Sequence, residues 1–143
     1  MLKGKHVNVC NLRKDEKMKK IFLILCLALG VVACSSQELQ MPADQYGVFR
    51  GNYSYDVAEA VLFDACTKAK WQVVENGQDF LVINFSHKGY DFDAEIQYDN
   101  NNYSIIFLGV NQDNGSLRKA YSVYTKYVTK LNRVIQKTVY NQR

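Results

Sequence analysis

The sequence predicts an α+β fold, in which two helices pack on one face of a four-stranded antiparallel meander (an α-β-β-β-β-α two-layer sandwich). Two observations support this prediction. Residues 56–143 begin and end with helical apolar spacing, and four short strand-like runs separated by turn residues lie between. One of these runs alternates strictly between apolar and polar residues, which is typical of a half-buried antiparallel strand.

The first helix is predicted to begin at Asp56 as the N-cap, with Glu59 three residues later as its capping-box partner. Its apolar residues recur at helical spacing and share one face: Ala58, Val61, Leu62, Ala65 and Ala69. Cys66 flanks this face. A free cysteine in such a position is most often a small buried hydrophobe, and we favour this interpretation over a redox or catalytic thiol.

The four strands are predicted at residues 71–75, 80–86, 90–98 and 103–110. Turn signals separate them: Asn76-Gly77, "HKG" (87–89) and "DNNN" (99–102). In the third strand Tyr90, Phe92, Ala94, Ile96 and Tyr98 share one face, and Asp91, Asp93, Glu95 and Gln97 share the other. Alternate strand residues are about 6.6 Å apart. We therefore favour a solvated face over a divalent-cation site at the three acids.

The last helix, from Leu117 to about Tyr140, has the strongest helical pattern. Its apolar side is predicted to contain Leu117, Tyr121, Tyr124, Val128, Leu131, Ile135 and Val139. Five basic residues lie in a narrow arc on the far side, with no acid in the helix: Lys119, Lys126, Lys130, Arg133 and Lys137. Two interpretations stay open: a solvated face, or contact with an anionic surface such as lipid headgroups, lipopolysaccharide or an acidic partner.

Residues 1–33 have the pattern of a signal peptide. The apolar run from Ile21 to Ala33 has thirteen residues and follows the basic "KMKK", whereas a transmembrane helix needs about 20. Its end, Val31-Val32-Ala33-Cys34, resembles a bacterial lipobox. This resemblance implies that Cys34 is acylated and becomes the first residue of the mature protein, anchoring it to a membrane. A complete leader already begins at Met18, so we expect translation to start there rather than at Met1.

Residues 34–55 are predicted to be the lipidated N-terminus and a tether, of which Tyr46, Val48, Phe49 and Tyr53 are apolar enough to dock onto the domain. The residue after Cys34 is serine rather than aspartate, and in this the sequence resembles lipoproteins that are sent to the outer membrane. The expected location is therefore the periplasmic face of the outer membrane.

The net charge of +4 is unevenly divided, at +5 before Cys34 and −1 from Cys34 onward. The basic balance belongs to the leader, so it does not indicate a nucleic-acid partner. The cysteines offer neither a disulfide framework nor metal-ligand spacing. His87 is interpreted as a lone surface histidine, since the sequence gives it no matched nucleophile. We predict no catalytic, cofactor or metal site.

Three parts of the chain together resemble a group of small bacterial lipoproteins of unknown function. They are Trp71 and Val73, the segment "DAEIQYDNNNYSI" (93–105), and Tyr124, Tyr127, Val128 and Leu131. The resemblance covers most of residues 57–135 and implies the architecture and the envelope location, but no activity. Tyrosine stands at position 127, where the group's pattern has tryptophan, and at position 121, where it has histidine.

The expected function is that of a non-enzymatic envelope lipoprotein, acting as a binding or accessory module with a protein partner. An alternative is an inhibitor or immunity protein that neutralises a secreted toxin or cell-wall hydrolase. An apolar patch on the exposed sheet face would favour that alternative. An enzyme would require Cys66 or His87 to lie in a concave, polar pocket.

Overall fold

The computed structural model describes residues 38–141. They form β1 (Gln45–Val48), α1 (Tyr55–Ala69), β2 (Gln72–Asn76), β3 (Phe80–His87), β4 (Tyr90–Tyr98), β5 (Asn102–Gln112) and α2 (Leu117–Tyr140). The strands make one antiparallel sheet in the order β1-β5-β4-β3-β2. The α+β class and the meander β2–β5 are confirmed, whereas the predicted strand count is one too low. The predicted signal peptide, the start at Met18 and the lipidation site Cys34 lie outside the described residues.

The additional strand, β1, falls within the segment predicted as a tether. It pairs with the start of β5, from Gln45 opposite Ile105 to Val48 opposite Asn102. Phe49 is buried and Tyr53 is partly buried against the core, as expected, but Tyr46 and Val48 are exposed. The compact unit begins at Leu39. Much of the predicted tether is therefore part of the domain.

Helix α1 is capped by Ser54 and not by Asp56. The Ser54 backbone is extended, and its Oγ accepts a hydrogen bond from the Val57 backbone N–H at 3.4 Å. Asp56 instead lies in the first turn, where its negative carboxylate interacts favourably with the positive end of the helix dipole. Glu59 makes no capping box, because its Oε1 accepts a hydrogen bond from Asn76 Nδ2 at 2.7 Å.

Both helices cover one face of the sheet. The buried residues of α1 and β4 include those predicted to face the core, and on α2 Tyr124, Val128, Leu131, Ile135 and Val139 are buried. Leu117 was predicted to face the core but is 42% exposed. It occupies the first turn of α2, at the rim of the core, where few side chains surround it. Within residues 38–141 no helix is long and apolar enough to cross a membrane.

Two local backbone features shape the β2–β4 part of the sheet: a tight turn and a bulge. At the β3–β4 turn, Lys88 and Gly89 both have positive φ, at 48° and 81°. This is the backbone of a two-residue type I′ turn, whose twist matches that of the flanking strands. In the edge strand β2, the register with β3 shifts between Val73 and Glu75. Such a bulge discourages pairing of the exposed edge with another chain.

Candidate functional site

The sheet face that points away from the helices is named here the open face. Its residues align in rows across the strands, because the hydrogen-bonded register places them side by side. One row joins Phe80, Gln97, Ser104 and Tyr46, and the next joins Glu75, Val82, Glu95 and Ile106. A third row, Gln72, Asn84, Asp93 and Gly109, is polar. The open face therefore combines apolar side chains with carboxylates.

The charge of the open face has one sign. In the described part of the chain, none of the five strands contains Lys or Arg, whereas β2 and β4 contain Glu75, Asp91, Asp93 and Glu95. Apolar residues lie directly beside these acids. Glu95, for example, lies between Val82 on β3 and Ile106 on β5. A surface of this kind is complementary to a partner that presents basic side chains around an apolar centre.

An open groove of about 570 Å³ lies at the end of the sheet where β3 and β5 begin and β4 ends. Tyr46 and Phe80, in one row, are three strand spacings apart, or about 14 Å. Carboxylates of Asp79, Glu95 and Asp99 also line the groove. Aromatic faces and carboxylates together are suited to bind a cationic group such as a Lys or Arg side chain.

Local hydrogen bonds hold two of these carboxylates in place. Asp99 Oδ1 accepts from the backbone N–H groups of Asn101 and Asn102 at 2.6 and 2.7 Å. These two hydrogen bonds lower the pKa of Asp99 below its ordinary value, because they favour the ionised form. Glu95 Oε1 accepts from Gln97 Nε2 at 2.6 Å. Asp99 thus gives the groove a negative charge at neutral pH.

The three acids of β4 do not converge on a common point. Asp91 Oδ1 accepts from Ser86 Oγ at 2.5 Å, and Asp93 Oδ1 accepts from Asn84 Nδ2 at 2.8 Å. Both partners are neighbours on β3. No group of three or more His, Cys, Asp or Glu side chains within residues 38–141 is arranged to hold a metal ion. The acids instead form part of the charged surface of the open face.

The opposite layer carries the opposite charge. Helix α2 contains six Lys/Arg residues and no acid. The five predicted for the far side of the helix are all exposed, and together they are named here the basic stripe: Lys119, Lys126, Lys130, Arg133 and Lys137. Among residues 38–141 the one ion pair joins Lys68 and Asp64 on α1. The structure thus confirms that the stripe is exposed. None of its five side chains forms a salt bridge within residues 38–141, so their charges are available for an external contact.

The two candidate reactive residues of the sequence lie apart. Cys66 is fully buried on α1, and burial raises the pKa of its thiol to about 12, so the thiol stays protonated at neutral pH. The interpretation of Cys66 as a buried hydrophobe is confirmed. His87 is not a lone surface residue, because its Nε2 lies 3.1 Å from the Tyr127 hydroxyl and its ring centroid 4.8 Å from the Tyr127 ring. The tyrosine at position 127 thus holds the histidine against α2.

Fold and surfaces define a class of protein: an α+β two-layer sandwich with helices on one face of the sheet, an acidic open face and a basic helical face. No protein-family model matches the chain, and a search of curated proteins found no match.

The groove residues Tyr46, Asp79, Phe80 and Asp99 were missed by the sequence analysis. They come from three separate places in the chain, and only the strand register brings them together. One signal is visible in the sequence. Residues 71–112 contain six acids but a single basic residue, Lys88.

Proposed function

We propose that this protein is a non-enzymatic, lipid-anchored binding module of the cell envelope, and that its open face binds a basic protein surface. The anchor is the acylated Cys34, and the location is the periplasmic face of the outer membrane. Support for the anchor comes from the lipobox-like sequence and from Ser35. Support for the binding role comes from the domain.

One observation carries the binding role: an acidic sheet surface with interspersed apolar residues and no basic residue is left uncovered by the two helices. The apolar residues Phe80, Val82 and Ile106 are only partly buried there, although a monomer gains free energy by burying them further. The groove adds a place for a cationic side chain between Tyr46 and Phe80. A partner with a basic rim satisfies both features, and no anionic partner does.

The anchor is tested by metabolic labelling with an alkyne fatty acid. Wild-type protein is expected to incorporate the label, and Cys34→Ala to lose it, because Cys34 carries the lipid. The measurement is the labelled fraction of the protein after its purification from membranes. Equal labelling of the two proteins would show that Cys34 is not the lipidation site.

The binding face is tested by placing a photo-crosslinking amino acid at Gln97, which is exposed on the open face. Illumination of intact cells is expected to give a discrete adduct of fixed mass. The matched control is the same amino acid at Ala60, which is exposed on α1, in the opposite layer. The proposal predicts the adduct from position 97 alone. Identical adducts from both positions, or none from position 97, would contradict it.

Charge reversal then tests the proposed chemistry of the partner. Glu95→Lys is expected to reduce the yield of the adduct at position 97 at least about tenfold, since like charges placed in contact across an interface cost several kcal/mol. Asp64→Lys is the control. It makes the same change of charge on α1, where an exposed ion pair contributes about 0–1 kcal/mol, and should leave the adduct unchanged.

An inhibitor or immunity protein is the second candidate function. Support for it comes from the apolar side chains of the open face, where Val82 and Ile106 lie on either side of Glu95. The groove would accept a Lys or Arg side chain of the target. If the crosslinked partner is a toxin or cell-wall hydrolase, addition of this protein should lower the partner's activity, and Glu95→Lys should restore it. An unaffected activity would leave the accessory role.

A further inference from the structure

The basic stripe on α2 is left unassigned by the function proposed above. We infer that it lies against the anionic lipid headgroups of the same membrane that holds the acylated Cys34. The inference rests on the proposed function for the anchor. It adds a second, electrostatic contact, which orients the domain with α2 toward the lipid and the open face toward the protein partner.

The stripe has the shape of a surface that contacts a plane. With 3.6 residues per turn, its five positions fall within an arc of about 60°. They extend from Lys119 to Lys137, and a helical rise of 1.5 Å per residue makes this about 27 Å. The side chains of all five are exposed. The core-facing residues of the helix lie on the opposite side, so α2 can contact a flat surface without any rearrangement of the fold.

The chain enters the domain beside this helix. Gln45, the first residue of β1, accepts a hydrogen bond through its Oε1 from Asn132 Nδ2 of α2 at 3.4 Å. Further along, the Tyr53 hydroxyl donates to the carbonyl oxygen of Val139 at 3.5 Å. The N-terminal segment therefore joins the domain along the flank of α2. Eleven Cα-to-Cα steps separate Cys34 from Gln45. They span at most about 40 Å, and a lipid anchor within that distance permits the stripe to reach the same surface.

Charge complementarity favours lipid as the occupant. Phosphate-bearing headgroups provide a continuous negative surface, whereas α2 itself contains no acid and the acids of β2 and β4 lie on the open face. Each basic side chain close to an anionic membrane contributes roughly a fivefold factor to association. The anchor keeps the stripe near the membrane, so even this modest attraction acts at a high effective concentration.

The test uses the purified, lipidated protein in vesicles of phosphatidylcholine alone or of phosphatidylcholine mixed with phosphatidylglycerol. Lysine acetylation rates are measured by mass spectrometry. The stripe lysines are expected to react at least about fivefold more slowly in the anionic vesicles, and high salt should remove this protection. The internal references are Lys68, Lys70 and Lys88, which are exposed but lie outside the stripe and should react equally in both vesicles.

A matched pair of variants isolates the stripe. In Lys126→Gln/Lys130→Gln, the remaining lysines Lys119 and Lys137 should lose most of their protection, since two fewer charges lower association about 25-fold. In Lys68→Gln/Lys88→Gln, which removes the same charge elsewhere, protection should persist. If acetylation of the stripe does not depend on lipid composition, the inference is wrong. Protection that appears only in native envelopes would assign the stripe to an acidic protein instead and would also overturn it.

Flotation separates this inference from the anchor on which it rests. Failure to float with phosphatidylcholine vesicles would show that the lipid anchor is absent, which contradicts the proposed function. In that case, flotation with the anionic vesicles would depend on the stripe alone and would measure its affinity for lipid directly. Loss of that flotation in Lys126→Gln/Lys130→Gln would support the inference, and its persistence would refute it.

Discussion

Replacement of Phe92 by alanine is expected to lower the free energy of unfolding by about 3–5 kcal/mol, as typical for a fully buried phenylalanine. Phe92 is 0% exposed on the core-facing side of β4. Its ring centroid lies 5.8 Å from those of both Tyr90 and Tyr124. Hydrogen-bonded strands flank β4 on both sides, so the surrounding structure can collapse only partly into the cavity. Urea denaturation of the two proteins measures the loss.

Leu108→Ala in the neighbouring strand is the control for this prediction. Leu108 is 50% exposed, so it loses less apolar contact on truncation, and the expected cost is about 1 kcal/mol or less. Since a domain of this size is stable by only about 5–15 kcal/mol, the two variants should be readily distinguished. Equal midpoints would mean that Phe92 is not packed as described.

Substitution of Gly47 by valine is expected to detach β1 and to cost about 1–3 kcal/mol. A side chain at Gly47 would overlap the ring and hydroxyl of Tyr103 and the amide nitrogen of Gln136. The Tyr103 ring cannot easily move away, because its hydroxyl donates to Asn132 Oδ1 at 2.5 Å and accepts from Gln136 Nε2 at 2.6 Å. Amide hydrogen exchange should therefore accelerate in residues 45–48 and in the paired part of β5, while α1 and β3 keep their protection.

Gly109→Val provides the matched control in the same sheet. No atom lies within 4 Å of the position that a β-carbon would take at Gly109, and valine is well suited to strands. We expect exchange in β1 to remain slow in this variant. Fast exchange in both variants would indicate a general weakness of the sheet, and slow exchange in both would mean that Tyr103 yields more easily than its hydrogen bonds suggest.

The contrast between β4 and β1 shows how far sequence could predict the fold. Strand β4 alternates between apolar and polar residues, so its two faces could be assigned from the residue pattern alone. Strand β1 has only four residues, two of them exposed apolar side chains and one a glycine. Its stability comes from pairing with β5 and from the burial of Phe49 after it. These interactions join residues more than fifty positions apart, and a local pattern cannot express them.

The two candidate surfaces also differ in how far the sequence could predict them. The basic stripe was predictable, because a single helix with 3.6 residues per turn determines which side chains lie together. The groove on the open face was not, because its rows depend on the register of four strands. In β3 the run "FLVINF" is apolar at nearly every position. Sequence could therefore not show that Phe80 and Val82 face away from the core.

The position of β1 also determines how the domain responds to mechanical force. Tension on the chain before Gln45 reaches the fold first through this four-residue strand, which pairs with β5 alone. Its hydrogen bonds would break before those of the interior strands, each of which has a partner on both sides. Release of residues 45–53 lengthens the connection by about 30 Å while the remaining four strands and both helices stay folded. Under such tension, the strand would act as an extensible link between the N-terminal chain and the rest of the domain.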